Sequence, residues 1–437
     1  MKISLKHISL IVLVAAIAAT AVLVGRHRVK KSEEAVPVRI MLNDSLKNSM
    51  SDIPELYGLD KKVRTFMRKW SIKGASLAIT RNDSLLYAKG YGWADEEMNV
   101  TMEPSHILRM ASVSKLITAV GIMVLQDRDS LNISDHVFGP DGILNDTLFT
   151  SVIKDKNYKK ITVEHLLRHQ GGFHRDPLFS SIDVMHQLQL DTPPEKEDFY
   201  KVVLRRRLRF QPGSWQKYSN FGYLLLSEII EKVSGMPYEE FIKNEVLAPA
   251  GCYDMHIAGN YYKDKRENEV RYYTHEGDGK YISEYNNSGN MVERCYGGNN
   301  ITLLSGAGAW CGSPAEISRF VASIDGHPGV PDIISAEAQQ QMTAYHNKDI
   351  FSLGWNDTDP RKGWQRTGTL AGTSALVKHY PDGECWILIT NTSTWRGPSL
   401  AKYTDNLFHQ CRQLFSSKLP KRNMFVEFPK SYPCDKS

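Results

Sequence analysis

Apolar positions recur at helical spacing in four stretches of the chain. Leu56, Val63, Phe66 and Met67 predict a helix within residues 52–70, and Leu116, Ala119, Val120, Met123 and Val124 predict a second. Tyr223 to Val233 gives an amphipathic third that stops at Ser234-Gly235, and Leu400, Tyr403, Leu407, Cys411 and Leu414 give a closing helix. A further helix is predicted over Ile161–Phe173, stopped by Gly171-Gly172. Strand signals lie at the two ends of this series. Ala75–Ile79 and Leu85–Tyr87 flank the turn Asn82-Asp83, and Ser374–Tyr380 and Cys385–Thr390 flank Pro381-Asp-Gly383, so each pair reads as a hairpin. Strands first and last with helices between predict an α+β fold: an antiparallel sheet flanked by helices (residues about 53–120 and 300–437), interrupted by a mostly helical insertion (about 121–299).

The N-terminus departs from this pattern. An apolar run, Ile8–Val24, lies between Lys2 and Lys6 on one side and Arg26, Arg28, Lys30 and Lys31 on the other. It reads as a signal peptide or membrane anchor within residues 1–25, followed by a polar linker over 26–52. Either reading implies export, to a periplasmic space or to a membrane with the main domain outside the cytoplasm. With 437 residues, 41% apolar and 24% charged, the chain has an ordinary globular composition. A net charge of +5 gives little support to a nucleic-acid partner, and the basic run Arg205–Arg209 reads as a solvated helix face. Six widely spaced cysteines permit disulfides after export; Cys385 in a core strand and Cys411 on an apolar helix face also suit buried thiols.

The chemistry centres on Ser112 and Lys115. On a helix, positions three apart share a face, so the hydroxyl and the amine come within hydrogen-bond reach. A serine hydroxyl needs a neighbouring base, and burial lowers a lysine pKa toward that role. The spacing Ser-x-x-Lys also occurs at Ser151/Lys154 and Ser214/Lys217, but only Ser112 opens a long apolar helix. The competing reading of Ser112 is a helix N-cap. His165 and His169, four apart, lack a visible third ligand, so no metal is expected there.

Three motifs in order give a resemblance. Ala111-Ser-Val-Ser-Lys115, then Tyr218-Ser-Asn220 after Pro212-Gly213, then Arg366-Thr-Gly-Thr369 resemble the serine β-lactamase and penicillin-binding superfamily, in the branch of class C β-lactamases, D-alanyl-D-alanine carboxypeptidases and esterases. Tyr-x-Asn recurs at Tyr285 and Tyr345, so order and context carry the likeness, which covers about residues 55–415. The resemblance implies an acyl-serine intermediate on Ser112, with Lys115 and Tyr218 sharing the proton traffic and no cofactor. It also implies that Asn220 orients lysine or substrate, and that the amides of Ser112 and Thr369 form an oxyanion hole. Arg366, Thr367, Gly368 and Thr369 would line the substrate side, with Arg366 holding an anionic group. Implied substrates are amides, esters or β-lactams, either small molecules or peptidoglycan-derived. The alternatives are an acyltransferase and a non-catalytic penicillin-binding sensor. Arg366 departs from the usual Lys or His, and His169-Gln-Gly-Gly172 from the usual Thr-x-Ser-Gly.

Overall fold

The computed structural model describes residues 38–275, 281–347, 349–427 and 430–433. The apolar run Ile8–Val24 and Cys434 lie outside them. Among the described residues, no helix is long and apolar enough to cross a membrane.

The main sheet is antiparallel and six-stranded. In chain order its strands are β1 (Gly74–Arg81), β2 (Ser84–Asp95), β3 (Val100–Thr101), β7 (Trp364–Leu370), β8 (Thr373–His379) and β9 (Glu384–Thr390). Their spatial order is β7-β8-β9-β1-β2-β3. The two hairpins of the sequence therefore meet along β9 and β1, with Leu388 opposite Leu77. Successive side chains of a strand leave on opposite faces. Leu376, Trp386 and Leu388 accordingly join one core cluster, while Ala375, Val377, Cys385, Ile387 and Ile389 join the other. Helices α1 (Tyr57–Lys69) and α4 (Leu400–Phe415) cover the first face through Val63, Phe66, Met67, Leu407, Phe408 and Cys411. Each such fully buried large side chain contributes about 1.5–3 kcal/mol.

The second face carries α2 (Ser114–Asp127), in which every residue from Ser114 to Leu125 is buried. Its one-sided stripe thus understates it: this is a central helix, enclosed all round. It packs in the same core as α3 (Asn220–Ser234), which ends at Gly235 with φ +71°, a left-handed conformation that glycine adopts without strain.

Three sequence expectations change in the fold. The linker expected over residues 26–52 joins the folded body from about residue 42. Leu42 and Leu46 pack with Leu85, Met424 and Phe425, Asn43 donates to Glu316 (2.9 Å), and Ser51 donates to the Ala88 carbonyl (2.8 Å). Helices make up most of the elements of the insertion, as expected. It also holds a hairpin, Tyr281–Ser283 with Met291–Glu293, and contributes β5 (His256–Ile257) to a small sheet with β4 (Leu108–Arg109) and β6 (Trp310–Gly312). The helix predicted over 161–173 is only Val163–Leu167, because His169 takes a left-handed φ of +58°. Arg205, Arg207 and Arg209 follow the helix Lys196–Leu204 rather than forming its face. Cys252, Cys295, Cys311, Cys385 and Cys411 are all buried free thiols.

Candidate active site

The small sheet leads directly into the nucleophile. After β4, the Met110 N–H donates to the Trp310 carbonyl (3.0 Å), and Ala111 takes a φ of +50° that a side chain rarely tolerates. Ser114 locks this turn, donating to the Ala111 carbonyl (2.6 Å) and accepting from the Trp310 N–H (3.1 Å). Ser112 sits in the turn Ala111–Val113 ahead of α2, half-exposed, and it makes no capping bond to the helix. The N-cap reading fails there, and the hydroxyl is free for other partners.

Lys115 is fully buried one turn on. Its ammonium faces three acceptors: Ser112 Oγ at 3.3 Å, Asn220 Oδ1 at 2.8 Å and the Ala307 carbonyl. An ammonium has three donors and no acceptor, so this arrangement satisfies the charged form completely. Burial pulls its pKa from 10.5 to about 8; the Tyr218 oxygen opposes that fall and the Arg366 cation adds to it. Near neutral pH the group is therefore mostly an ammonium. A charged Lys115 stabilises an anion beside it rather than taking the serine proton itself.

Tyr218 is the group on which this charge and that of Arg366 act. Its hydroxyl lies 2.7 Å from Ser112 Oγ and 3.3 Å from Arg366 Nη2, although the residue as a whole is 37% exposed. Desolvation of the hydroxyl raises its pKa, but Lys115 and Arg366 together outweigh it, and the net direction is downward. The ring is braced by His169, whose ring centre stands 4.4 Å away, and by Phe351 at 6.0 Å. His169 accepts the Ser219 N–H at 3.1 Å, and burial with two nearby cations keeps it neutral. His165 instead accepts the Thr162 N–H (3.2 Å), so each of the two histidines serves its own backbone contact.

Asn220 opens α3, and a carboxylate from a distant loop fixes that end. Asp176 accepts from the N–H groups of Asn220 and Phe221 (the latter at 3.0 Å) and from the Ser219 hydroxyl (3.3 Å). A negative charge there also suits the helix dipole. Asp176 was not visible as a site residue in the sequence, since it lies forty-odd positions from the helix it holds.

The third motif lies on edge strand β7. Gly368 abuts the nucleophile turn: a Cβ there would fall 2.1 Å from the Met110 carbonyl oxygen and 3.1 Å from the Ser112 nitrogen. Thr367 is tied by both its N–H (2.7 Å) and its hydroxyl (3.1 Å) to Asn356, another residue with no sequence signal. Thr369 follows, half-exposed, in register with Ser374. Arg366 corrects an expectation. Rather than facing a substrate anion it is fully buried, with Nε donating to the Ser112 carbonyl (2.7 Å) and Nη1 enclosed without a partner. Alternation along the strand sends Arg366 inward and its threonine neighbours outward.

Known proteins share this arrangement of elements. Penicillin-binding protein 4* of Bacillus subtilis (strain 168) is 28% identical over 212 residues, 48% of this chain and 43% of its own length. Protein flp of Staphylococcus aureus (strain N315) is 28% identical over 191 residues, 44% of this chain and 36% of its own. The chain thus spans less than half the length of these curated relatives. Among solved structures, D-amino acid amidase from Ochrobactrum anthropi SV3 superposes with a TM-score of 0.64 at 17% identity, covering 84% of this chain and 99% of that one. The octameric penicillin-binding protein homologue from Pyrococcus abyssi gives 0.63 at 20% identity, covering 85% and 79%. With the Beta-lactamase family model matching residues 59–405, well over half of its length and spanning all three motifs, the chain belongs to the Beta-lactamase family.

Proposed function

We propose that the protein is a serine hydrolase that forms an acyl-serine on Ser112 with an amide, ester or β-lactam substrate. The convergence of Tyr218 (2.7 Å) and Lys115 (3.3 Å) on a half-exposed Ser112 Oγ carries this reading. Tyr218, as phenolate held by Lys115 and Arg366, accepts the serine proton as Oγ attacks the carbonyl carbon. The Ser112 and Thr369 amides receive the oxyanion, and each such donor contributes about 3–4 kcal/mol to the transition state. The tetrahedral intermediate then collapses, and the departing amine or alcohol takes the proton back from Tyr218. Water, deprotonated by the same phenolate, releases the acyl group and restores Ser112. Arg366 acts through Tyr218 and does not hold the substrate. The penicillin-binding and amidase relatives support acyl transfer but leave the acyl group open, whether a β-lactam, a peptidoglycan-derived peptide or a simple ester.

The test follows labelling and release of a fluorescent penicillin and turnover of an activated ester, for wild type and Ser112→Ala. Labelling with release, lost in Ser112→Ala, is the expected result. Permanent labelling would point to a penicillin-binding sensor. A folded protein that neither labels nor turns over the ester would refute the enzyme reading. The flanked apolar run Ile8–Val24 extends the proposal to export. Cell fractionation with N-terminal sequencing should find the chain outside the cytoplasm, and a wholly cytosolic pool would contradict this.

A further inference from the structure

Directly behind the nucleophile turn, the small sheet sets Cys311 in register with Arg109 on one side and His256 on the other. Glu269 reaches the same place from a loop. Ligand atoms of His256, Glu269 and Cys311 lie within 4.8 Å of one another, and all three residues are buried. Cys311 Sγ is 3.6 Å from Glu269 Oε1, and His256 Nε2 is 3.8 Å from Glu269 Oε2. Tetrahedral zinc, with bonds of about 2.0–2.3 Å, sets neighbouring ligand atoms roughly 3.3–3.8 Å apart. The His256–Glu269 contact is too long for a good N–H···O hydrogen bond, and both distances match the spacing of a coordination shell.

The state of His256 points the same way. Its Nδ1 is 2.8 Å from the Asp254 carbonyl, which can only accept, so Nδ1 carries a proton and Nε2 is the ring atom turned toward Glu269. A carbonyl on the far nitrogen is the usual support for a metal-bound histidine. His256 is 2% exposed, and its Nε2 has no hydrogen-bond partner among the described residues. A buried polar atom left without a partner is costly.

We infer that His256, Glu269 and Cys311 form a structural site for a borderline-soft divalent cation of the Zn²⁺ class. The Tyr272 hydroxyl, 2.8 Å from Glu269 Oε1 and 4.0 Å from Cys311 Sγ, closes the fourth side. On binding, the Cys311 thiol gives its proton to solvent, and thiolate and carboxylate offset the dication. Arg109 opposes the ion, with Nε 3.9 Å from Glu269 Oε1 and the guanidinium 4.3 Å over the Tyr272 ring. Two carbonyl oxygens, of Cys295 (2.8 Å) and Gly259 (2.9 Å), hold that guanidinium in place. Since Arg109 runs on into Met110, Ala111 and Ser112, the ion would brace the nucleophile turn without touching substrate.

The full chain, stripped with a chelator and desalted, is titrated with Zn²⁺ and with Co²⁺. Stoichiometric zinc by elemental analysis and a thiolate-to-cobalt charge-transfer band are expected. Both should vanish in Cys311→Ser, and His256→Gln should weaken binding by more than the roughly 10–100-fold that outer-shell changes cost. Ser112→Ala should bind metal like wild type, which separates this outcome from the fate of the hydrolase reading. Circular dichroism checks that each variant is folded; where one is not, the wild-type cobalt spectrum decides alone. A folded wild type that takes up neither ion, or a Cys311→Ser variant that binds as well, overturns the site.

Discussion

Lys115→Met separates what the buried ammonium does for catalysis from what it does to stability. Burial lowers the folded-state pKa of Lys115 to about 8 from 10.5. At 1.36 kcal/mol per pH unit, this gap corresponds to roughly 3 kcal/mol of destabilisation from keeping the group charged inside. The sign follows from proton counts. Between the two values the unfolded chain binds more protons, so wild-type stability rises with pH across that window. The penalty is full below about pH 8 and gone above about pH 10.5. Other groups titrate there too, so the quantity to measure is the difference between wild type and Lys115→Met in urea unfolding, at about pH 7 and about pH 10.5. That difference should move by up to ~3 kcal/mol in favour of wild type at the higher pH, whatever constant term the orphaned Asn220 and Ala307 oxygens add to the variant. Acylation by Lys115→Met should fall by about 10²–10⁴ at neutral pH. A stability difference that does not change with pH would refute the buried-ammonium reasoning, as would a variant that acylates normally.

Wild-type kcat/KM should decline above about pH 8 as Lys115 loses its proton and its hold on the phenolate, and a rate still rising well past that point would exclude the assignment. Tyr218→Phe keeps the ring against His169 but removes the base; labelling of Ser112 should slow by roughly 10²–10⁴ with the melting temperature nearly unchanged. Gly368→Ala drives a methyl into the Met110 carbonyl and should cost about 1–3 kcal/mol by denaturation while suppressing acylation, so an active, stable variant would place β7 further from the turn. Asp176→Ala should lose about 0.5–2 kcal/mol as the α3 cap disappears and should lower kcat through Asn220; unaltered kinetics would confine Asp176 to a structural role.

The local sequence was enough to determine both hairpins, α1, the buried helix after Ser112, α3 and α4, and the order of the three motifs that carry the family. Periodicity reports which face of an element meets a core, and motif residues lie within a turn of one another, so both are written over short spans. Tertiary structure decided what long-range contact controls. Arg366 reads as a substrate clamp until the chain brings it against the Ser112 carbonyl, 254 positions away, and seals it from solvent. Residues 42–52 look like polar linker because their anchors are single side chains, such as Asn43 on Glu316, with no period to reveal them. His169 ends its helix early by adopting a left-handed conformation, which sets its ring on Tyr218, and Asp176 and Asn356 act across loops. Cys311, Glu269 and His256 come from separate segments and meet only in the folded interior. Alternation and helical spacing are local properties of a chain, whereas the field at Ser112 is a sum over groups that only the closed fold assembles.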